Sequence, residues 1–311
     1  MIDISKETAV VFPGQGSQVI GMGFDLYEKS SIAKDIFDEV DDTLGRKLTD
    51  IIFSGSQETL NKTENAQPAI TATSLACFSV FNEKYKNFKP SVTAGHSLGE
   101  YTSLSAANAL SISDTIRLVS ERGRLMQIAC DKNPGGMVAI IGMEVNVVEE
   151  VCREAGAYPS NVNSSQQVII SGDNESLAIA VDLAKARGAK KAIKLSVGGA
   201  FHSILMEPAR DSLVDFIESL DFNDPDIPLI GNVNAKPLQN AAQIKNELIE
   251  QLMSCVQWND TIKYMSSNGL SDYIEFGPGK VLTGLIKRID TNSSTLNIDS
   301  VSYTHLTLPT I

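Results

Sequence analysis

A serine inside a glycine-bounded turn is the first residue in this sequence whose context indicates chemistry. The segment Gly95-His96-Ser97-Leu98-Gly99 matches the pattern G-x-S-x-G, and it follows an apolar run and precedes a helical pattern. Glycines at both ends permit a sharp turn that lifts the serine hydroxyl clear of a sheet. The pattern predicts that Ser97 is a nucleophile. The alternative interpretation is an ordinary turn with an N-cap serine.

A serine nucleophile needs a base, because a free hydroxyl is a weak nucleophile at neutral pH. The chain has three histidines, His96, His202 and His305. His96 adjoins Ser97 on the turn, and its side chain should point away from the hydroxyl. His305 lies in an atypical C-terminal tail, so we set it aside. His202 is therefore the predicted partner that takes the serine proton and later returns it to the leaving group.

Arg122 lies on the apolar stripe of a predicted helix. The other residues of that stripe are small or apolar: Thr115, Leu118, Val119, Met126 and Ala129. Arginine is rarely buried without a partner, because an unpaired buried charge is costly. The helix pattern leaves two partners open. One is a nearby carboxylate such as Glu100 or Glu121, and the other is a substrate carboxylate held by both guanidinium nitrogens.

A second glycine-rich turn, Phe12-Pro-Gly-Gln-Gly-Ser-Gln18, follows the first apolar run. Its glycines begin a dinucleotide-binding pattern, but Val19 stands where the third glycine belongs, and the sequence has no G-x-x-x-x-G-K-[ST]. We therefore exclude nucleotide binding. The turn can instead present the Gln15 N–H, beside the N–H of Leu98, to a developing oxyanion. A turn that merely ends a strand fits the residues equally well.

Composition limits the class of protein. The chain has 311 residues, of which 42% are hydrophobic, and 26 Lys+Arg against 38 Asp+Glu give a net charge of −12. This composition is typical of a globular protein with a large core, and so acidic a chain is unsuited to general nucleic-acid binding. Because we find neither a bilayer-spanning apolar run nor a signal-peptide pattern, we expect a cytosolic protein with no membrane partner. Four widely spaced cysteines disfavour disulfides and a zinc site.

Strands and helices alternate around these residues. Thr8–Phe12 and Ser91–His96 are predicted strands, and each ends in one of the two turns. Helices are predicted over Gln67–Tyr85, with Pro68 in its first turn, over Leu98–Leu110, and from an N-cap at Ser113 to about Cys130. Such alternation predicts an α/β fold with a mostly parallel sheet.

The stretch 134–197 follows a different order, strand-helix-strand-strand-helix-strand, which is typical of a ferredoxin-like unit. We therefore predict one discontinuous catalytic domain formed by residues 1–133 and 198–299. Residues 134–197 would form a small inserted subdomain. Residues 300–311 would be a tail that is not native to the protein.

Together these motifs resemble those of malonyl-CoA:acyl-carrier-protein transacylases of type II fatty-acid synthesis. The similarity runs from about residue 9 to 290 and includes both turns. It also includes Arg122-Gly123, Gly199-Ala-Phe-His-Ser203, Val256-Gln-Trp258 and Glu275-Phe-Gly-Pro-Gly-Lys-Val-Leu-Thr-Gly284. Several motifs in one order are specific, whereas each alone is not.

The resemblance implies an α/β-hydrolase-like domain that carries a ferredoxin-like insert. It implies a ping-pong transfer of the malonyl group from malonyl-CoA to the phosphopantetheine thiol of acyl carrier protein. Ser97 would carry the malonyl ester, His202 would be the general base, and Arg122 would bind the malonyl carboxylate. No metal or organic cofactor is implied, since CoA is part of a substrate, and we expect a monomer.

The resemblance also implies supporting roles for five further residues. Gln15 and Leu98 would form the oxyanion hole, and the main-chain carbonyl of Gln257 would orient the base. Asn163 would face the site from the insert, and Phe201 would belong to a malonyl-selective pattern.

Three other interpretations stay open. A serine esterase or thioesterase would use the same Ser97–His202 pair with water as the acceptor, and such enzymes usually add an Asp or Glu between the two in sequence. A trans-acting acyltransferase of polyketide synthesis would share the chemistry. A non-catalytic module that binds acyl carrier protein would not need Ser97, His202 and Arg122 together.

Overall fold

The computed structural model describes residues 7–301, and within them ten strands form two sheets. The strands are β1 (Thr8–Phe12), β2 (Val92–Gly95), β3 (Gly136–Ile141), β4 (Tyr158–Ser164), β5 (Gln167–Gly172), β6 (Lys191–Lys194), β7 (Leu229–Ile230), β8 (Pro237–Leu238), β9 (Asp272–Phe276) and β10 (Ser294–Ile298).

The helices cover the sheets and fill the connections between strands. They are α1 (Phe24–Lys29), α2 (Ser31–Leu44), α3 (Leu48–Ser54), α4 (Gln57–Asn61), α5 (Thr63–Lys84), α6 (Leu98–Ala106), α7 (Ile112–Lys132), α8 (Val145–Ala155), α9 (Asn174–Ala186), α10 (Glu207–Glu218), α11 (Ala241–Gln251), α12 (Trp258–Ser267) and α13 (Val281–Ile289). A 3₁₀ turn, Ile204–Met206, precedes α10.

The larger sheet has the strand order β10-β9-β1-β2-β7-β8, and all its pairs are parallel except β7 with β8. Every residue of β1 is buried, as expected of a central parallel strand covered on both faces. Phe12 pairs with Gly95, so β1 and β2 end side by side. The two glycine-rich turns therefore emerge next to each other from one edge of the sheet.

The smaller sheet is antiparallel, with the order β4-β5-β3-β6. Its strands all lie between residues 136 and 194, inside the predicted insert. The predicted α/β fold with a mostly parallel sheet is thus confirmed, together with a second, antiparallel sheet. The exact boundaries of the predicted domains stay a prediction.

The two sheets are joined through the segment that follows α11. Val256 forms a parallel bridge with Asn161 of β4. The Val162 N–H donates to the Val256 carbonyl at 2.9 Å, and the Val256 N–H donates to the Ser160 carbonyl at 2.9 Å. The backbone that follows α11 is therefore hydrogen-bonded to β4, the edge strand of the smaller sheet.

Two glycines permit helix α6 to start directly against the ends of β1 and β2. A Cβ on Gly95 would lie 1.8 Å from the carbonyl carbon of Gly99, and a Cβ on Gly99 would lie 2.0 Å from the Phe12 carbonyl oxygen. No side chain fits at either position, which explains both glycines of the G-x-S-x-G pattern.

The predicted start of the Arg122 helix was two residues too late. The N-cap of α7 is Ser111, whose hydroxyl accepts from the Asp114 N–H at 3.0 Å. The hydroxyl of Ser113, the predicted cap, instead donates to Glu39 at 2.6 Å.

The predicted start of α5 was also too late. The helix begins at Thr63, so Pro68 lies in its interior rather than in its first turn. Pro68 has no N–H to donate to the carbonyl of Glu64, four residues earlier. That carbonyl accepts from Arg46 Nη2 at 3.4 Å instead. Strand β10 was not predicted at all.

Several other expectations concern the whole chain. The four cysteines are free. Between residues 7 and 301 we find no helix with the length and apolar character needed to cross a bilayer. His305 and residues 302–311 of the predicted tail lie outside the described residues.

The close contact of α6 with β1 makes Gly99 sensitive to any added atom. We expect Gly99→Ala to lower the free energy of unfolding by about 3 kcal/mol, because the new methyl group must displace the Phe12 carbonyl. Gly284→Ala, inside α13 with nothing within 4 Å of its Cβ, is the matched control and should raise stability by roughly 0.5–1 kcal/mol. Urea unfolding measures both, and equal effects would contradict the packing described here.

Candidate active site

Ser97 occupies a strained turn between β2 and α6. Its φ and ψ are 52° and −103°, a region that non-glycine residues seldom adopt. Asn232 holds this conformation from both sides. The Asn232 Oδ1 accepts from the Ser97 N–H at 2.7 Å, while its Nδ2 donates to the Gly95 carbonyl at 2.7 Å. The fully buried amide thus links the turn to the loop after β7.

The predicted pairing of Ser97 with His202 is confirmed. The Ser97 Oγ and the His202 Nε2 lie 2.7 Å apart. The other ring nitrogen, Nδ1, faces the main-chain carbonyls of Gln251 at 2.9 Å and Ser254 at 3.1 Å. Carbonyls only accept hydrogen bonds, so Nδ1 carries the proton and Nε2 is left to accept one from the serine.

The carbonyl predicted to orient the base was assigned to the wrong residue. The Gln257 carbonyl accepts from the Thr261 N–H at 2.9 Å, because α12 begins at Trp258 and uses this carbonyl in its first turn. Helix α11 ends at Gln251, and the last carbonyls of a helix have no donor within it. One of these carbonyls, that of Gln251, accepts only at 3.4 Å from the Ser254 N–H, and it holds the imidazole together with the carbonyl of Ser254.

The environment of His202 keeps its ring neutral. Burial, and after it the positive charge of Arg122, lowers the pKa of His202 to about 3. At neutral pH the imidazole is therefore an unprotonated acceptor in contact with a hydroxyl, which is the state a general base requires.

Arg122 is 1% exposed and points its guanidinium at Ser97. Nη1 donates to Gln67 Oε1 at 2.9 Å, and Nη2 donates to Gln251 Oε1 at 3.0 Å and to Ser97 Oγ at 3.3 Å. The guanidinium carbon also lies 4.8 Å from the centroid of the Tyr101 ring. Neutral amides and a ring therefore position the charge without neutralising it.

The nearby carboxylates do not pair with Arg122. Glu121 binds Arg124 at the surface, at 2.6 Å. Glu100 accepts from Gln251 Nε2 and from the Asn232 N–H. Among residues 7–301 no ion pair to Arg122 is formed, so this alternative is wrong. An anion that enters the site would meet an unneutralised guanidinium.

Helix packing brings Arg122 to this place. All the residues of its predicted apolar stripe are buried. A Cβ on Gly123 would lie 2.6 Å from the Thr63 carbonyl oxygen, so α7 approaches α5 closely at this point. The close approach allows Gln67 of α5 to reach the guanidinium.

His96 points away from Ser97, as predicted, and connects the turn to the small sheet. Its Nε2 lies 2.8 Å from Asn163 Oδ1, and its ring packs on Trp258 with centroids 5.6 Å apart. Burial lowers the pKa of His96 as well. Asn163, on β4, therefore contacts the catalytic turn through His96.

A cavity of about 250 Å³ opens over the Ser97 hydroxyl. Six of the predicted site residues line it: Gln15, Ser97, Arg122, Asn163, Phe201 and His202. Gln257 and Leu98 do not. Leu98 is the first residue of α6, where a main-chain N–H has no intrahelical acceptor, so its oxyanion role, like that of Gln15, stays a prediction. Between residues 7 and 301 no group of three or more His, Cys, Asp and Glu side chains is arranged to hold a metal.

Three buried amides that hold the site were missed in the sequence: Gln67, Asn232 and Gln251. A signal exists for Gln251. The buried face of α11 consists of Ile244, Glu247, Leu248 and Gln251, at the i, i+3, i+4, i+7 positions of an apolar stripe. A polar residue at such a position indicates a buried hydrogen-bonding role, as Arg122 does on α7.

Comparison with known proteins agrees with this geometry. Residues 9–301 match the acyl transferase domain family. A malonyl CoA-acyl carrier protein transacylase of Bacillus subtilis (strain 168) is 43% identical over 311 residues, covering 98% of each chain.

Two solved structures are also similar. One is an acyl carrier protein S-malonyltransferase from Vibrio cholerae (TM-score 0.92, 40% identity), for which the match covers 96% of this chain and 98% of that one. The other is a malonyl-transacylase in complex with its type II PKS acyl-carrier protein (TM-score 0.94, 39% identity), covering 97% of this chain and 99% of that one.

The lowered pKa of His202 predicts an unusual pH dependence for the reactivity of Ser97. A histidine with the ordinary pKa of 6.5 would be about 90% protonated at pH 5.5, and the serine would react about tenfold more slowly there than at pH 8. Because the pKa is lowered to about 3, we expect the rate of labelling by a fluorophosphonate to change by less than about twofold between pH 8 and 5.5.

His202→Ala is the control and should label slowly at every pH. Circular dichroism at each pH checks that the protein is folded. A wild-type rate that falls with an apparent pKa near 6.5 would contradict the assigned environment of the base.

Proposed function

The chain belongs to the acyl transferase domain family, and we propose that it transfers the malonyl group from malonyl-CoA to the thiol of acyl carrier protein. The observation that carries this proposal is the Arg122 guanidinium, which lies 3.3 Å from the hydroxyl of a Ser97–His202 pair. A thioester acyl group attacked by Ser97 would extend past this charge, and a malonyl group has a carboxylate to meet it.

In the first half of the reaction, the Ser97 Oγ attacks the thioester carbonyl of malonyl-CoA while His202 Nε2 takes the hydroxyl proton. The carbonyl oxygen becomes an oxyanion, which the N–H groups of Gln15 and Leu98 stabilise. When the carbon–sulfur bond breaks, His202 returns the proton to the sulfur of CoA. Malonyl-Ser97 remains, and free CoA leaves.

In the second half, the phosphopantetheine thiol of acyl carrier protein occupies the place that CoA left. His202 takes the thiol proton, the sulfur attacks the ester carbonyl, and the Ser97 oxygen recovers the proton as the ester breaks. CoA leaves before the carrier thiol enters and the acyl group stays on Ser97 in between, so the mechanism is ping-pong. The names of the relatives in Bacillus subtilis and Vibrio cholerae both include acyl carrier protein, which supports this acceptor.

The buried charge supplies selectivity for a carboxylated acyl group. A hydrogen bond to a charged group contributes about 1.5–3 kcal/mol, so a malonyl group would be favoured over an acetyl group by roughly tenfold to a hundredfold. Phe201, with its ring at the cavity, would limit the size of the group that fits beside Arg122.

The fold proposed for this activity is an α/β-hydrolase-like domain that carries a ferredoxin-like insert. The order of the small sheet supports the second part, because β4-β5-β3-β6 is the order 2-3-1-4 of a βαββαβ unit with both helices on one face. The strand-turn-helix around Ser97 supports the first part.

The proposed reaction uses only groups of this chain and needs no metal or organic cofactor. The proposed steps need no residue from a second copy, and we propose that the enzyme acts as a monomer. Its substrates, a CoA thioester and a carrier protein, are cytosolic, and we propose the same compartment for the enzyme.

Two alternatives use the same residues. A thioesterase would transfer the acyl group to water, but no carboxylate among residues 7–301 is hydrogen-bonded to His202, whose Nδ1 faces two main-chain carbonyls instead. A role in polyketide synthesis is favoured by the similarity to a transacylase in complex with a type II PKS acyl-carrier protein, and it differs only in the carrier that accepts the acyl group.

Intact-mass spectrometry after brief mixing with malonyl-CoA tests the proposal. We expect one malonyl adduct on the wild-type protein and none on Ser97→Ala. The adduct should persist in buffer and move to the thiol when holo acyl carrier protein is added. Release of free malonate without transfer would favour the thioesterase, and no adduct on folded protein would contradict the catalytic role of Ser97.

Arg122→Met tests the source of selectivity, because methionine fills a similar length without charge. We expect the rate of Ser97 acylation by malonyl-CoA to fall about tenfold to a hundredfold, while acylation by acetyl-CoA stays within about threefold. Arg124→Met, on the same helix and paired with Glu121 at the surface, is the matched control and should change neither rate. A parallel loss with both thioesters would assign Arg122 a structural role only.

A further inference from the structure

One buried carboxyl lies next to the catalytic residues without touching the cavity. Glu100 is fully buried on α6, one turn after Ser97. Its Oε2 accepts from Gln251 Nε2 at 2.9 Å and from the Asn232 N–H at 3.2 Å. Burying a carboxyl costs free energy, and the proposed reaction uses no atom of Glu100. The burial of Glu100 therefore requires another explanation.

The amide of Gln251 is the link between Glu100 and the substrate side of the site. Its Nε2 donates to Glu100 Oε2 and to the Ser97 carbonyl, both at 2.9 Å. Its Oε1 accepts from Arg122 Nη2 at 3.0 Å. All the polar atoms of this side chain are therefore used, and each contact requires the same orientation of the amide.

The orientation matters because the two ends of an amide are nearly equal in size and opposite in hydrogen bonding. If the Gln251 amide rotated by half a turn, its NH₂ would face the guanidinium of Arg122, and two donors would meet. Its oxygen would then face two acceptors. The Glu100 carboxyl and the Ser97 carbonyl are the two acceptors that favour the observed orientation, and the amide is held between them.

We propose that Glu100 is a positioning residue: its carboxyl oxygen fixes the Gln251 amide, and the amide oxygen in turn fixes the Arg122 guanidinium beside Ser97. The inference rests on the proposed function, because it assigns the consequence of this chain of contacts to selectivity for a carboxylated acyl group. Glu100 acts through Gln251 and does not touch the substrate.

The role does not depend on the charge of Glu100. Burial, and next the neighbouring charge of Glu247, raises the pKa of Glu100 well above its usual range. A protonated carboxyl would carry its proton on Oε1, which has no hydrogen-bond partner among the described residues, and Oε2 would still accept. A neutral side chain of the same shape with an acceptor oxygen should therefore replace it.

The readout is the ratio of the rates at which malonyl-CoA and acetyl-CoA acylate Ser97, because an acetyl group has no carboxylate for Arg122 to bind. We expect Glu100→Leu, which removes the acceptor, to lower this ratio about tenfold. Glu100→Gln retains an acceptor oxygen and should keep the ratio within about twofold of the wild-type value. A general loss of stability would slow both thioesters and leave the ratio unchanged.

Glu247→Gln is the matched control. Glu247 is also a buried carboxyl on the same network, but it accepts from the Val233 N–H at 2.7 Å and makes no hydrogen bond to Gln251. This variant should keep the wild-type ratio. If Glu100→Leu does not fold, Glu100→Asp provides the test, since it withdraws the carboxyl by one methylene and should lower the ratio in the same direction.

Three results would overturn the inference: an unchanged ratio in Glu100→Leu or Glu100→Asp, an equal loss in Glu100→Gln, or an equal loss in Glu247→Gln. Failure of the proposed function would be seen separately. In that case the wild-type protein itself would show no preference for malonyl-CoA, whereas failure of the inference alone would leave the preference of the wild-type protein intact.

Discussion

A guanidinium buried without a carboxylate is the constraint on which the rest of the site depends. Arg122 is held by the amide oxygens of Gln67 and Gln251 and by the face of Tyr101, none of which carries a negative charge. Its positive charge is therefore not neutralised, and it acts on the neighbouring groups of the site. It helps to keep the imidazole of His202 unprotonated, and it lies beside the Ser97 hydroxyl, where it would attract an anion.

Holding such a charge in position requires rigid neighbours, and the fold supplies them from distant parts of the chain. Gln251 is one residue that contacts four groups of the site. Its side chain contacts the Ser97 carbonyl, the Glu100 carboxyl and the Arg122 guanidinium, and its main-chain carbonyl contacts the His202 ring. A helix terminus is well suited to this task, since its last carbonyls have no partner within the helix. The end of α11 is therefore the point at which Ser97, His202 and Arg122 are aligned.

The smaller sheet contributes to the same alignment. The bridge between Val256 and Asn161 fixes the segment after α11. The Ser160 hydroxyl donates to the carbonyl of Phe201, the residue before His202, at 2.8 Å. Asn163 reaches the catalytic turn through His96. The smaller sheet thus helps to support the site and also forms a wall of the cavity.

The sequence alone determined the features of this protein that depend on residues close together along the chain. The tight turn around Ser97, the apolar strand before it and the position of Arg122 on a buried stripe could all be read from neighbouring residues, because strand and helix periodicities are local. The scarcity of histidines was enough to identify His202 as the partner of Ser97.

Tertiary structure alone decided which carbonyls hold His202 and which amides hold Arg122. The family resemblance implied the carbonyl of Gln257, whereas α11 ends at Gln251 and leaves that carbonyl to the ring, because the exact end of a helix decides which of its carbonyls lack a helical donor. Contacts between residues more than 100 positions apart, such as Gln251 with Arg122, arise only when the helices have packed.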